Sequence, residues 1–235
     1  MRGDDESLAD PTSNEPQHDA ARAALRWASR YAVLIVAMLA PMAARADHHE
    51  AQWSVRPFGG VAALQEAGVA TQPAMVGGLS LGFAYGVSNR LDLGGELVTL
   101  ATASPRFMDT VIIDGGLPVA RPLARRTDSA LLLLGPTWRS GVSWVPVVTL
   151  AAGGGARYRS DGTLTDVGLT LDDKRASVVL DLAATVRVGV EHRVNRRLVI
   201  GGYASGLASW GPSAPLLPMA SISVGVSYVN YPLWW

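Results

Sequence analysis

The sequence predicts an all-β protein, a closed, antiparallel, up-and-down transmembrane β-barrel of about eight strands, preceded by a signal peptide. Three observations predict it. Apolar residues alternate with small or polar ones over most of the chain, the connections between these segments alternate in length, and an apolar run lies near the amino terminus. Alternation with a period of two indicates strands, and alternating connection lengths indicate the up-and-down topology of a membrane barrel.

Composition agrees with strands that have one face in lipid. The 235 residues include 25 glycines, 49% are hydrophobic and only 17% are charged, which is typical of a chain with few solvated surfaces. Lys+Arg and Asp+Glu both number 20, so no basic excess points to nucleic acid as a partner. Cysteine is absent, which excludes disulfide frameworks and thiol catalysis.

The first 46 residues predict a disordered leader plus a secretory signal peptide. Arg22, Arg26 and Arg30 precede the apolar run YAVLIVAMLAPMAA at 31–44, and Ala44-Arg45-Ala46 follows as a small-x-small cleavage site. A membrane anchor is the alternative, but it needs about 20 apolar residues and this run is shorter. We therefore expect cleavage near Ala46 and a barrel domain at 47–235.

Segment 79–87, LSLGFAYGV, shows the alternation most clearly. Leu79, Leu81 and Phe83 share one face, and small residues share the other. In a lipid-facing strand the large residues point outward, whereas in a soluble sandwich they point inward against a second sheet. Alternation alone leaves both open.

The connections favour the membrane barrel. We predict strands at 53–64, 75–87, 91–101, 129–138, 143–157, 177–192, 198–207 and 219–231. The connections 88–90, 139–142 and 193–197 are short, and 65–74, 102–128, 158–176 and 208–218 are longer, so that the two kinds alternate. Outer-membrane barrels have short periplasmic turns, long external loops and both termini in the periplasm. Within 102–128 a hairpin could extend above the membrane, but its arms are too short to span and do not suggest ten strands.

Aromatic residues fall near the predicted strand ends. Amphipathic rings gather at both membrane interfaces of such barrels. The topology places five tryptophans at the periplasmic rim, and Tyr158 and Trp210 at the opposite rim. The five predicted girdle residues are Trp53, Trp138, Trp144, Trp234 and Trp235.

Over 47–235 the chain resembles the small OmpA/OmpX/OmpW-type outer-membrane barrels. The resemblance is carried by the Gly-rich hairpin at 78–95, its counterpart at 186–202, and the segment SVGVSYVN at 223–230. It implies an eight-stranded monomer in outer-membrane lipid, and it implies that strand 223–235 presents the C-terminal signal to the barrel-assembly machinery. Asn230 stands where an aromatic residue is usual, and Tyr231, Trp234 and Trp235 follow it.

Taking the small or polar side of each strand as inward predicts a balanced set of lumen charges. An eight-stranded barrel is wide enough only for side chains or one small ligand, and buried charges must pair across strands. We expect a filled, salt-bridged core, with a narrow polar path as the alternative. The eight predicted residues are Arg56, Asp92, Glu96, Arg139, Arg157, Asp181, Arg187 and Glu191.

Catalysis and metal binding receive little support. A lipid-modifying barrel enzyme needs a Ser and a His near the outer rim, and the histidines after residue 46 are His48, His49 and His192, none predicted there. We therefore predict no enzyme, no catalytic residue and no cofactor. A new amino terminus Asp47-His48-His49 could form a square-planar Cu(II) or Ni(II) site, although a flexible leader is the simpler interpretation. The acidic segment 161–175 does not match an EF-hand and is expected to be a solvated loop.

Three functions remain at the level of sequence. The first is a non-enzymatic outer-membrane barrel acting structurally, in surface contact, or in passage of a small solute. The second is a secreted lipocalin-like barrel holding an apolar ligand; a lipid-modifying enzyme is the least supported. We expect outer-membrane lipid and the assembly machinery as partners, and no nucleic acid.

Overall fold

The computed structural model describes residues 50–65, 71–103, 106–111, 119–141, 143–211 and 214–230. The leader and signal segment 1–46, the Asp47-His48-His49 terminus and Trp234 and Trp235 lie outside these ranges. Within them no helix is long and apolar enough to cross a membrane, a finding that bears on helices alone.

The described residues form twelve strands, eight of them long. The long ones are β1 (Ala51–Leu64), β2 (Gln72–Gly86), β3 (Leu91–Thr102), β6 (Thr127–Arg139), β7 (Trp144–Arg159), β10 (Ser177–Arg193), β11 (Leu198–Gly211) and β12 (Ala214–Asn230). The short ones are β4 (Arg106–Val111), β5 (Val119–Ala124), β8 (Thr163–Leu164) and β9 (Leu169–Thr170), and a 3-10 helix spans Asp172–Lys174.

The eight long strands form one closed antiparallel barrel in the order β1-β12-β11-β10-β7-β6-β3-β2. Its seam is the pairing of β1 with β12, which runs from Ala51–Asn230 to Ala62–Met219. Every predicted strand corresponds to one of these eight, with bounds that differ by a few residues, so the predicted fold class is confirmed. Closure removes the sheet edges that would otherwise expose unpaired backbone groups.

The short connections that follow β2, β6 and β10 share one end of the barrel, which we name the turn end. The opposite end is the loop end. The first and third turns are built alike. Ser88 Oγ accepts bonds from the amides of Arg90 and Leu91, and Asn195 Oδ1 accepts bonds from those of Arg197 and Leu198. Side-chain acceptors of this kind replace backbone partners in tight turns, and they explain the sequence echo of the two hairpins.

The loop end differs from prediction at the connection between β11 and β12. Strands β11 and β12 stay paired as far as Gly211 and Ala214, beyond a register shift at Ser209. The predicted long connection 208–218 is therefore wrong, because the strands continue and leave only 212–213 between them. The longest connection does contain the hairpin considered above: β4 pairs with β5, outside the barrel.

The acidic segment 161–175 is also more ordered than a solvated loop. Its strands β8 and β9 join the hairpin in a second sheet of order β4-β5-β8-β9, which we name the loop sheet. Leu164 of β8 pairs with Leu123 of β5, and both side chains are fully buried. The expectation of a solvated loop missed this pairing because strands of two residues are too short to give a periodic signal.

Large apolar side chains cover the outside of the barrel wall. Leu79, Leu81 and Phe83 are 40%, 46% and 38% exposed, whereas Ser80 between them is 3% exposed. A soluble barrel that stores an apolar ligand would place the large apolar residues inside and the small or polar residues outside. The long strands therefore have an apolar outside and a buried inside.

Candidate functional site in the barrel lumen

All eight residues predicted to carry lumen charges point into the barrel, and none of their side chains is more than 15% exposed. They form three clusters at different heights. Every one of them has an opposite charge within ion-pair distance, and the partners sit on different strands.

The middle cluster is centred on Glu96 of β3. Arg187 of β10 donates from Nη2 to both carboxylate oxygens at 2.5 Å, and Arg56 of β1 places Nη2 at 3.1 Å from Oε2. Ser80 of β2 donates its hydroxyl to the same carboxylate. Two other strands separate β3 from β10 in the ladder, so the Glu96–Arg187 bond crosses the lumen.

The middle cluster holds two positive charges and one negative charge, whereas the turn-end cluster holds one positive charge and two negative charges. Arg139 of β6 contacts Asp92 and lies 3.1 Å from Glu191 of β10. The hydroxyl of Tyr203 donates to Glu191 at 2.8 Å. Still nearer the turns, Arg193 donates to both oxygens of Glu50 at 2.9 Å, which joins β10 to the start of β1 across the mouth of the barrel.

The loop-end cluster is the most deeply buried. Arg157 lies 2.6 Å from Asp181, and their side chains are 3% and 0% exposed. The same guanidinium donates to the carbonyl and hydroxyl oxygens of Ser209 at 3.1 and 3.0 Å. These bonds tie β7, β10 and β11 together where the loops begin.

Between the middle cluster and the loops, the lumen is filled by apolar side chains. Leu131 and Leu133 of β6 are fully buried, as are Phe107, Leu123 and Leu164 of the loop sheet, and all five belong to one hydrophobic core. The expectation that large residues point only outward is therefore wrong for this half. An eight-stranded barrel is narrow enough for such side chains to fill it, and the loop sheet covers the filled end.

Two cavities inside the lumen are small. One cavity of about 40 Å³ lies toward the turn end, with Arg56, Arg139 and Tyr203 in its lining. A second of about 20 Å³ lies toward the loop end, with Arg56, Arg187 and Ser205 in its lining. A water molecule needs at least about 10–15 Å³ of such space, so these cavities hold a few waters or one small ion.

Within the described ranges, the predicted aromatic residues lie near the strand ends and outside the wall. Trp53, Trp138 and Trp144 are 59%, 43% and 65% exposed and lie at the turn end. Tyr158 and Trp210 are 43% and 41% exposed and lie at the loop end. Trp53 packs on Phe83 with ring centroids 4.6 Å apart.

The described residues offer no group of acidic or histidine side chains placed to hold a metal ion. His192, the one histidine in the described ranges, lies on the outer surface of the barrel at the turn end. Its ring packs on Trp144 with centroids 4.5 Å apart, and its Nδ1 is 3.1 Å from the carbonyl oxygen of Ser143. A base at that position is far along the strand from the loop end.

Several lumen residues escaped the sequence interpretation. Ser80 and Tyr203 bond to the charged clusters, but neither is charged, and a search for opposite charges does not find them. Glu50 lies before the first predicted strand. Its bond to Arg193 therefore could not be predicted from the register of paired strands. Leu131 and Leu133 stand in a run of four leucines at 131–134, in which the two faces of the strand look the same.

The closed ladder, apolar outside and ion-paired inside define the class of this protein, a small eight-stranded β-barrel of the transmembrane type. No protein-family model and no curated protein matches the sequence. Among solved structures the chain is similar to Ail, the attachment invasion locus protein of Yersinia pestis, at 16% identity and a TM-score of 0.47, covering 78% of this chain and 100% of that one.

Two further structures are similar. Neisserial surface protein A matches at 10% identity and a TM-score of 0.42, covering 75% of this chain and 96% of that one. The outer membrane protein OprG from Pseudomonas aeruginosa matches at 15% identity and a TM-score of 0.40, covering 78% and 98%. The fold assignment rests on the eight paired strands of this chain itself.

Proposed function

We propose that this protein is an integral outer-membrane barrel with a filled lumen, which acts without catalysis as a rigid support for the loop sheet at the cell surface. The observation that carries the proposal is the direction of the side chains. Apolar residues cover the outside, while paired charges and a leucine-rich core fill the inside.

The outer wall supports lipid as the surroundings. Leu180 of β10 and Ile222 and Val224 of β12 are 75%, 73% and 67% exposed on the outside of the barrel, and a soluble monomer rarely exposes large apolar patches. The eight strands are 12–17 residues long, and about 9–11 tilted residues suffice to cross a bilayer. The lipocalin-like alternative requires the reverse arrangement.

The filled lumen favours support over passage. A solute would have to displace the core around Leu131 and Leu133 and break the Glu96–Arg187 bond. Both are costly, because buried charges that lose a partner are strongly destabilising. We therefore favour the structural and surface-contact role over small-solute passage.

Orientation and processing complete the proposal. We place the turn end and both termini in the periplasm, the loop sheet outside, signal cleavage near Ala46, and the aromatic residues of the turn end in a girdle at the inner interface. The C-terminal segment 223–235 is the one offered to the assembly machinery, and the barrel is a monomer.

Two measurements test this proposal. Fractionation should recover the chain in the outer membrane, with gel mobility that changes on heating; recovery in the soluble periplasm would reject it. In planar bilayers the purified barrel should show no discrete conductance steps. The double variant L131A/L133A, which removes part of the lumen core, serves as the comparison, and steps from the unaltered barrel would favour passage.

A further inference from the structure

The cavity of about 20 Å³ in the lumen lies against two guanidinium groups. Arg56 and Arg187 both line it, and Glu96 is the one carboxylate in its lining. Phe58, Leu207 and other apolar side chains complete the wall on the side toward the loops. The cavity thus combines an excess of positive charge with a low-dielectric cover.

The charges around this cavity do not balance. Two arginines share one carboxylate, and arginine does not lose its proton in a protein. All of the close partners of Glu96 are accounted for by Arg187, Arg56 and Ser80. The lining of this cavity therefore has one positive charge in excess, and the negative charges that balance the lumen as a whole, Asp92 and Glu191, lie in the turn-end cluster beside Arg139.

The nearest other carboxylate does not reach the cavity. Glu191 accepts the hydroxyl of Tyr203 and pairs with Arg139, and the Tyr203 ring stands between it and Arg56, with the guanidinium carbon 5.7 Å from the ring centroid. The Nε of Arg56 is buried and has no hydrogen-bond partner among the described residues. The lining of the cavity therefore offers both an N–H donor without a partner and an excess positive charge to a bound group.

Hydroxyl groups line the same cavity. Ser205 and Ser221 share one hydrogen bond of 2.9 Å, which leaves the second hydroxyl proton of the pair free to donate elsewhere. Ser223 also lines the space. Charged and neutral donors around a volume near that of one ion are what a small anion requires.

We propose that this cavity binds one small monovalent anion of the halide type, chloride under ordinary conditions, held between Arg56 and Arg187. The ion compensates the second guanidinium and stabilises the folded barrel, because a ligand that binds only the folded state raises its stability. The inference depends on the lumen geometry and not on the role of the loop sheet.

The test uses the full chain purified from membranes in a non-ionic detergent. Thermal unfolding is measured in sodium chloride, sodium bromide and sodium gluconate at equal ionic strength. We expect Tm to rise saturably by a few degrees in either halide relative to gluconate, which is too large for the cavity. An equal Tm in all three salts would overturn the proposal.

Variants locate the effect. R56Q should lose the halide dependence and R56K should keep it, since the charge remains; R126Q, altered outside the barrel lumen, should keep it as well. Anomalous diffraction from bromide-soaked crystals of the unaltered chain gives an answer even if R56Q does not fold. A bromide peak between Arg56 and Arg187 supports the site, and a lumen without one contradicts it.

Discussion

Glu96 joins side chains from three other strands, and its position explains how the three charges of the middle cluster are tolerated in the lumen. Arg56, Ser80 and Arg187 come from β1, β2 and β10. Each bond satisfies a group that burial would otherwise penalise. Removing the carboxylate leaves two buried guanidinium groups without a counter-charge.

Glu96→Gln should therefore lower the free energy of unfolding by about 3–5 kcal/mol, the usual cost of breaking a buried pair by removing one partner. Urea-induced unfolding of the detergent-solubilised barrel measures it. Asp128→Asn is the matched control, because Asp128 pairs with the exposed Arg126 on the outside, and it should change the result little. Equal effects of the two substitutions would show that the Glu96 network contributes no special stability.

A second prediction at this scale concerns pH. The Arg121 side chain, which donates a hydrogen bond to Asp166, is the main reason that the pKa of Asp166 lies below its ordinary value of 3.8. A lowered carboxyl pKa contributes stability above the unfolded pKa, and that contribution is lost as pH falls through the folded pKa.

Hydrogen exchange at 163–170 should therefore be slow at neutral pH and faster below pH 3.8, after correction for intrinsic rates. Asp166→Asn should exchange faster than the unaltered chain at neutral pH, and the difference should vanish in acid. Identical exchange at neutral pH would mean that this exposed pair does not hold the loop sheet.

At the scale of elements, the loop sheet is the part of the fold that sequence periodicity described least well. The long strands were predictable because their alternation extends over many residues. Strands β8 and β9 have two residues each, too few for a period. Strand β8 forms on the edge that β5 offers, and β9 pairs in turn with β8. The loop-end extension of β11 and β12 also depends on pairing and not on local pattern.

The stability of the loop sheet should depend on the packing of Leu123, which is fully buried. Met108 on the neighbouring strand is 57% exposed. Leu123→Ala should cost about 2–5 kcal/mol of local stability. Trypsin applied to intact cells should then cleave faster near Arg125 and Arg126, with the barrel still heat-modifiable. Met108→Ala is the control and should leave the rate unchanged; equal rates for both variants would show that the sheet is not held by this packing.

At the scale of the whole molecule, strand number and the direction of the charged residues followed from the sequence, while the contents of the lumen did not. Alternation says which face a residue occupies, but it does not say which residue it meets across the barrel. The Glu96–Arg187 and Glu50–Arg193 bonds depend on strand order and stagger, and the core at Leu131 and Leu133 lies in a stretch where both faces are leucine.

The arrangement of the two faces is the central claim, and the absence of cysteine from the chain makes it directly measurable. Single spin labels at positions 79–83 of β2, in the barrel reconstituted in lipid, report contact with oxygen dissolved in the bilayer or with a water-soluble relaxing agent. Labels at 79, 81 and 83 should be relaxed by oxygen and those at 80 and 82 should be shielded from it. Oxygen contact at 80 and 82, with 79, 81 and 83 shielded, would contradict a lipid-facing wall and a filled lumen.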